Sequence, residues 1–310
     1  MKPFGPSDVC QDRPPARARG FSLIEIIIVV GLLSVIMLGL LLMFDQTQRA
    51  FRSSMTQTDV LASGRAVAAL LNGAMEQITP SDFGTNTVNF YMTNYGSAAL
   101  PPLLESLPGD NTQLRTNVLE SVYFLSRDNQ QWVGTGYMVG TPASGFGSLY
   151  RFTTNCPVNQ DPVRLFAQYQ TNFYMVYTNT DGNLPGYISR LADGVISFTV
   201  RAFDTNGYLI TNMIGNAVNG TNIVVDAPDD ANLGGEARQY IFTGNAVPAS
   251  VEFNLAVLED RALARLRAIP ADTAAALQRR QLTNQIGVGA VHIFRQRVHV
   301  YGLDPTAYEQ

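Results

Sequence analysis

The residue types on which many catalytic and metal sites depend are scarce in this chain. Its 310 residues include two cysteines, Cys10 and Cys156, and two histidines, His292 and His299. A zinc site made of cysteine pairs needs four thiolates, and no cysteine or carboxylate lies at ligand spacing beside the histidines. Nothing in the sequence near Cys156 would activate a thiol. The sequence therefore predicts neither a metal site nor a reactive cysteine.

Charged residues are also scarce, at 15% of the chain, and the formal net charge is −4. An acidic balance of this kind argues against a nucleic-acid-binding surface. The sequence lacks the glycine patterns that hold phosphates or dinucleotides, and it has no G-x-S-x-G nucleophile elbow. We therefore expect no cofactor and no direct nucleic-acid partner.

A long apolar run near the amino terminus is what the sequence does have. Residues 21 to 44 read FSLIEIIIVVGLLSVIMLGLLLMF, and about 20 helical residues suffice to cross a bilayer core. Residues 1–20 contain four basic and two acidic side chains, a balance of +2. Because positive flanks stay on the cytoplasmic side, we expect a single-pass inner-membrane protein with its amino terminus in the cytoplasm and its carboxyl-terminal part in the periplasm.

One carboxylate, Glu25, interrupts the start of the apolar run. A charged side chain in the bilayer interior costs about 3 kcal/mol on insertion scales. Either Glu25 lies close to the lipid headgroups, or a cation compensates it. Cleavage after Gly20 would provide such a cation, because the new amino group of Phe21 would lie four residues away.

The sequence Gly20-Phe21-Ser22-Leu23-Ile24-Glu25, between basic residues and the apolar run, resembles the class III signal of type IV prepilins and pseudopilins. The resemblance implies cleavage after Gly20 by a membrane aspartyl prepilin peptidase and N-methylation of Phe21. It also implies that Glu25 guides filament assembly by neutralising the amino terminus of a neighbouring subunit.

These implications describe a structural subunit of a type II secretion pseudopilus or a type IV pilus, and not an enzyme. The implied partners are the prepilin peptidase, other major and minor pilins or pseudopilins, and the inner membrane. Loss of Cys10 with the leader would leave Cys156 without a disulfide partner. The alternative is a membrane-anchored periplasmic binding module or enzyme that uses the helix only as a tether.

The rest of the chain predicts an α+β fold, in which a long amino-terminal helix packs on a mainly antiparallel β-sheet. The helix should end near Pro80, because the residue before proline disfavours helical geometry. The predicted division of the chain is a leader at 1–20, a helix at 21–79 (transmembrane at 21–44 and amphipathic at 45–79), a loop-rich connection at 80–117, and a periplasmic β-rich domain at 118–310 with an insertion at 212–248.

Secondary structure in the domain is predicted from apolar runs and turn residues. Strands are expected at 118–125, 148–154, 171–178, 194–203, 207–211 and 250–258, and short helices at 259–270 and 271–282. The run 291–302 fits a helix or a strand. Asp204-Thr205-Asn206-Gly207 predicts a hairpin turn, since a calcium loop would need a glutamate at its twelfth position.

A second, shorter resemblance lies in residues 191–210 and 247–260. These segments are similar to the carboxyl-terminal part of the J-type minor pseudopilins and W-type minor pilins. The matching residues are Gly194, Val195, Phe198, Asp204, Gly207, Pro248, Val251 and Leu255. The resemblance implies a minor, tip-associated subunit.

Overall fold

The computed structural model describes residues 22–84, 86–94, 104–107, 110–116, 119–140, 146–178, 184–210, 222–226, 239–268 and 291–308. Its helices are α1 Leu23–Met75, α2 Val163–Thr178 and α3 Asp260–Arg267, and a 3₁₀ turn covers Pro305–Tyr308. Its strands are β1 Val88–Asn94, β2 Leu104–Leu107, β3 Asp110–Thr116, β4 Glu120–Asp128, β5 Gln131–Gly140, β6 Gly147–Pro157, β7 Ile188–Phe203, β8 Ile223–Asp226, β9 Gln239–Thr243, β10 Ser250–Leu258 and β11 Val291–His299.

The chain divides into two compact units, residues 1–54 and residues 55–310. In the described part of the first unit, α1 is an exposed apolar helix. Its large apolar side chains from Leu23 to Phe44 are between 52% and 77% exposed. The polar side chains of Ser34 and Thr47 donate hydrogen bonds to the carbonyls of Val30 and Met43, one turn earlier.

The second unit is built on a nine-stranded sheet with the order β11-β10-β7-β6-β5-β4-β1-β9-β8. All of its neighbouring strands pair antiparallel. The sheet is curled. Strands β5 and β6 separate β4 from β7 in the strand order, but β4 and β7 nevertheless approach each other. There, Leu119 and Phe198 form an isolated parallel bridge, and the buried Glu120 carboxylate accepts a hydrogen bond from the Val200 amide. The predicted α+β class is confirmed.

The carboxyl-terminal half of α1 covers one face of this sheet, which we call the inner face. Val60, Val67, Leu71 and Met75 recur every four to seven residues along the helix, and all are buried. They join a core formed by the inward side chains of the strands, among them Phe90, Phe124, Phe198, Phe242 and Phe253. The apolar spacing of the helix thus places one stripe on the sheet.

Helix α2 covers part of the opposite face, over β4, β5 and β6. Leu165, Tyr169 and Val176 are buried there in a second core that includes Tyr123 and Phe152. Glycines on β5 allow the close approach of the helix. A Cβ atom at Gly136 would collide with the ring of Tyr169, and one at Gly134 would lie 3.0 Å from Leu165 Cβ.

The predicted strand at 171–178 is wrong, because these residues form the second half of α2. Aromatic and β-branched side chains in this run favour a strand. The buried positions Leu165, Tyr169, Asn172 and Val176 nevertheless follow a helical period. Asp161-Pro162 is a start signal of the kind found at helix amino termini, and Asp161 Oδ1 accepts the Val163 amide at 3.0 Å.

Several other segments differ from the sequence-based expectation. Of the predicted strand at 207–211, the described residues contain only an isolated bridge between Leu209 and Phe203. Strand β1 falls within the range predicted as loop-rich, β8 and β9 fall within the range predicted as an insertion, and β5 was not foreseen. Strands β1 and β9 pair with each other although about 150 residues separate them, whereas β5 pairs with its sequence neighbours β4 and β6.

The end of the domain largely follows the prediction. Strand β10 covers the predicted 250–258, and α3 lies within the helix predicted at 259–270. The run at 291–302, which fitted either structure, forms β11. The helix predicted at 271–282 lies outside the described residues.

One buried tyrosine in the inner core makes stability depend on pH in the alkaline range. Burial raises the pKa of Tyr137 from 10.0 to about 12, with an opposing effect of Arg151. Between pH 10 and 12, Tyr137 therefore keeps its hydroxyl proton in the folded state but loses it in the unfolded state. The contribution of Tyr137 to stability should be constant below pH 10 and fall by about 3 kcal/mol, for two pKa units, as the pH rises from 10 to 12, in addition to the fall that other buried tyrosines cause.

Urea unfolding of the full chain in detergent, followed by fluorescence of the single tryptophan, Trp132, measures this fall. In Tyr137→Phe the fall should be smaller by the same amount. At pH 7 this variant should be as stable as the native chain or more so, because Tyr137 Oη has no hydrogen-bond partner among the described residues. An unchanged fall in the variant would contradict the assignment.

Candidate functional site

The described part of the amino-terminal site consists of Ser22, Glu25 and the helix that follows them. The Ser22 amide donates to Glu25 Oε2 at 3.2 Å, and the Glu25 amide donates to Ser22 Oγ at 3.3 Å. The Ser22 carbonyl accepts the amides of Glu25 and Ile26 at 3.1 and 3.3 Å. This reciprocal arrangement is a capping box, in which the first turn of a helix satisfies its own free amides.

The capping box orients the Glu25 carboxylate. One carboxylate oxygen is held toward the start of the helix by the Ser22 amide. The carboxylate therefore lies beside Ser22 at the amino-terminal end of α1, where the positive end of the helix dipole favours an anion. Of the site residues expected from the sequence, Glu25 is described, whereas Gly20 and Phe21 lie outside the described residues.

The helix behind Glu25 has the length and apolarity of a membrane-spanning segment. The segment Leu23–Phe51 is 29 residues long. Its most apolar stretch has a mean hydropathy of 3.1, and no part of that stretch is buried within the protein. A helix of about 20 residues already spans the hydrocarbon core. The apolar surface of this segment is thus available to lipid or to other apolar helices.

Comparison with protein families gives one match at this site. Residues 15–41 match the family model described as the prokaryotic N-terminal methylation motif. The chain carries the class III signal of the type IV pilins and pseudopilins. This family is generally structural, and the amino-terminal helix serves its members as a membrane anchor. No curated protein and no solved structure gives a significant match to the chain.

The two histidines and Cys156 have surroundings that are typical of residues with a structural role. His292 Nε2 lies 3.2 Å from Glu259 Oε1, and both side chains are largely buried. No group of three or more metal-ligating side chains occurs within the described ranges. His299 is exposed at the end of β11. Cys156 is buried and unpaired, and burial raises the pKa of its thiol, which keeps it protonated.

The turn at Asp204–Gly207 has the geometry of a tight turn, as predicted. Asp204 Oδ1 accepts the amides of Asn206 and Tyr208 at 3.0 and 2.7 Å. Gly207 has φ of 81°, a value that glycine adopts without strain. Because the Asp204 carboxylate is directed at the backbone of its own turn, the turn needs no bound calcium to explain it.

Sequence reasoning missed the local contacts of Glu25. It treated this carboxylate as a charge that either lies near the lipid headgroups or requires a cation, whereas the structure places it in a capping box with Ser22. The signal was present, because a serine followed three residues later by glutamate before an apolar run marks a helix amino terminus.

Proposed function

We propose that the protein is a minor pilin or pseudopilin, a structural subunit of a type II secretion pseudopilus or a type IV pilus. The observation that carries this proposal is the match of residues 15–41 to the methylation motif, followed directly by the apolar helix Leu23–Phe51. The similarity of residues 191–210 and 247–260 to J-type and W-type subunits supports a minor role.

In this proposal the precursor enters the inner membrane with residues 1–20 in the cytoplasm and the domain in the periplasm. Prepilin peptidase cleaves after Gly20, and Phe21 is N-methylated. The cleaved chain then joins a filament of other pilins or pseudopilins, with its apolar helix among theirs. The amino-terminal residues act as a substrate and an assembly contact, and the chain catalyses no reaction.

Glu25 has two successive tasks in this account. Within its own chain it closes the capping box with Ser22. During assembly its carboxylate neutralises the amino terminus of an adjacent subunit. These tasks are compatible, because the Ser22 amide engages one carboxylate oxygen and a carboxylate can accept several hydrogen bonds.

Fractionation of filaments from the native host tests the proposal. Filaments sheared from cells or extracted from the envelope are separated from membranes, and the chain is detected by mass spectrometry. We expect it in the filament fraction, together with other pilin-like subunits and at a low ratio to them. Recovery of the chain only from the membrane fraction, when filaments are present, would contradict the proposal and favour the tethered periplasmic domain.

A further inference from the structure

Strand β11 lies at one edge of the nine-stranded sheet and pairs, among the described strands, with β10 alone. An edge strand presents unpaired amide and carbonyl groups along its free side. All nine residues of β11, from Val291 to His299, are in register with β10, so the strand is regular along its length. Such an edge can accept another extended chain by continuing the ladder of hydrogen bonds.

A groove runs beside this edge, between β11 and α1. It has a volume of about 510 Å³ and is lined from α1 by Arg65, Ala68, Ala69, Asn72 and Gly73 and from β11 by Ile293, Phe294, Arg295 and Gln296. A Cβ atom at Gly73 would meet nothing within 4 Å, which shows that the α1 side of the groove is open.

The two faces of β11 differ, because successive side chains of a strand point to opposite sides. Phe294 packs against the inner core and lies next to Gly64 of α1. Ile293 and Arg295 point to the other face, where Ile293 is 60% exposed. A strand added beside β11 would therefore direct alternate side chains into the small-residue groove and toward Arg295.

The charges at the groove favour a binding partner that carries acidic side chains. The lining contains two arginines, Arg65 and Arg295, and no acidic residue. Arg295 contacts Glu252 of β10 at 2.9 Å but remains 64% exposed, and Arg65 has no ion pair within the described part of the chain. An acidic segment would complement this charge.

A second copy of β11 is a poor occupant for the same reason. The strand reads VHIFRQRVH and contains two arginines and no acid. Antiparallel pairing with itself would bring cationic side chains next to one another, and like charges on neighbouring strands are destabilising.

We propose that the β11 edge and its groove bind an extended acidic segment of a partner protein, which adds a tenth strand to the sheet. The segment has acidic side chains on the Arg295 side and small or apolar side chains on the side that enters the groove. The backbone of β11 supplies the hydrogen bonds, Arg295 attracts the acidic side chains, and the small residues of α1 leave room for the small or apolar ones.

The probe for this surface is a synthetic fluorescent peptide of the same length as β11 that alternates valine and glutamate. Its binding to the full chain in a nonionic detergent is measured by fluorescence anisotropy. We expect binding to weaken about tenfold or more in Arg295→Glu, since the attraction of this side chain to the glutamates of the peptide is replaced by repulsion. Gly73→Leu should weaken it similarly by filling the groove while the helix remains intact.

Matched controls separate strand addition from general attraction. Arg164→Glu changes an exposed arginine on α2, over the opposite face of the sheet, and should leave binding unchanged. A peptide with lysine in place of glutamate, and one interrupted by two prolines, should both bind much more weakly.

Three outcomes would overturn the proposal. Equal loss of binding in Arg164→Glu would indicate nonspecific charge attraction, and equal binding of the proline-containing peptide would exclude strand pairing. Self-association of the native chain that is lost in Gly73→Leu would assign the edge to a second copy.

Discussion

Replacing Glu25 by leucine should leave cleavage of the precursor intact and exclude the chain from filaments. In the proposed function, cleavage depends on the residues around Gly20, whereas assembly depends on the carboxylate of Glu25. The cost of about 3 kcal/mol for a charged side chain in the bilayer interior disappears in the variant. The attraction to the amino terminus of a neighbouring subunit disappears with it. Membrane and filament fractions, with the mass of the chain in each, measure the two steps separately.

Two further variants define which property of Glu25 matters. Glu25→Gln keeps the size and the hydrogen-bonding oxygen of the capping box but removes the charge, and we expect it to fail in assembly as the leucine variant does. Asp45→Asn removes another acid of the same helix, one that pairs with Arg49 at 2.7 Å, and should assemble normally. Normal incorporation of Glu25→Leu would show that the carboxylate is dispensable for assembly.

Replacing Gly64 by leucine should destabilise the domain by about 1–3 kcal/mol, the usual cost of overpacking. Gly64 is buried on α1, and any side chain there would overlap the ring of Phe294 on β11. Either the ring of Phe294 or the helix would have to move, and the packing between α1 and β11 would loosen. Urea unfolding followed by Trp132 fluorescence, at pH 7 in detergent, measures the difference.

Gly73 on the same helix provides the matched control. A Cβ atom there meets nothing within 4 Å, so Gly73→Leu should raise stability by up to about 1 kcal/mol through its helix propensity. Equal effects of the two substitutions would contradict the close packing of α1 against β11. The control also shows that a loss of peptide binding in Gly73→Leu does not come from unfolding.

Local sequence patterns predicted the elements whose side chains carry a clear period. Strand β10 was predicted over its full length, and β7 was found with a start six residues too late. The apolar stripe at Val60, Val67 and Leu71 indicated that α1 continues beyond the membrane-spanning run. Each of these elements buries one continuous face, and a buried face produces a regular spacing of apolar residues in the sequence.

The elements that were missed either depend on contacts with distant parts of the chain or have side chains that suit another structure. Strand β1 pairs with β4 and β9, and β8 reaches the sheet only through β9. Strand β5 contains Gly134 and Gly136, which weaken a strand pattern but make room for α2. The sequence predicts a strand for the second half of α2, at 171–178, because its aromatic side chains also favour strands.

The amino-terminal site was more accessible to sequence reasoning than the fold. Its residues from Gly20 to Glu25 are contiguous, and the enzyme that processes such a signal reads a short segment. The groove beside β11 could not be foreseen, because it joins Arg65 on α1 to Arg295 more than two hundred positions later.

The intact mass and amino-terminal sequence of the protein from membranes of its native host test the central claim most directly. Residues 1–20 of a 310-residue chain of 33.8 kDa amount to about 2 kDa. The account predicts a chain lighter by this amount that begins with N-methylated Phe21. A chain that retains residues 1–20 in a host with an active prepilin peptidase would contradict it.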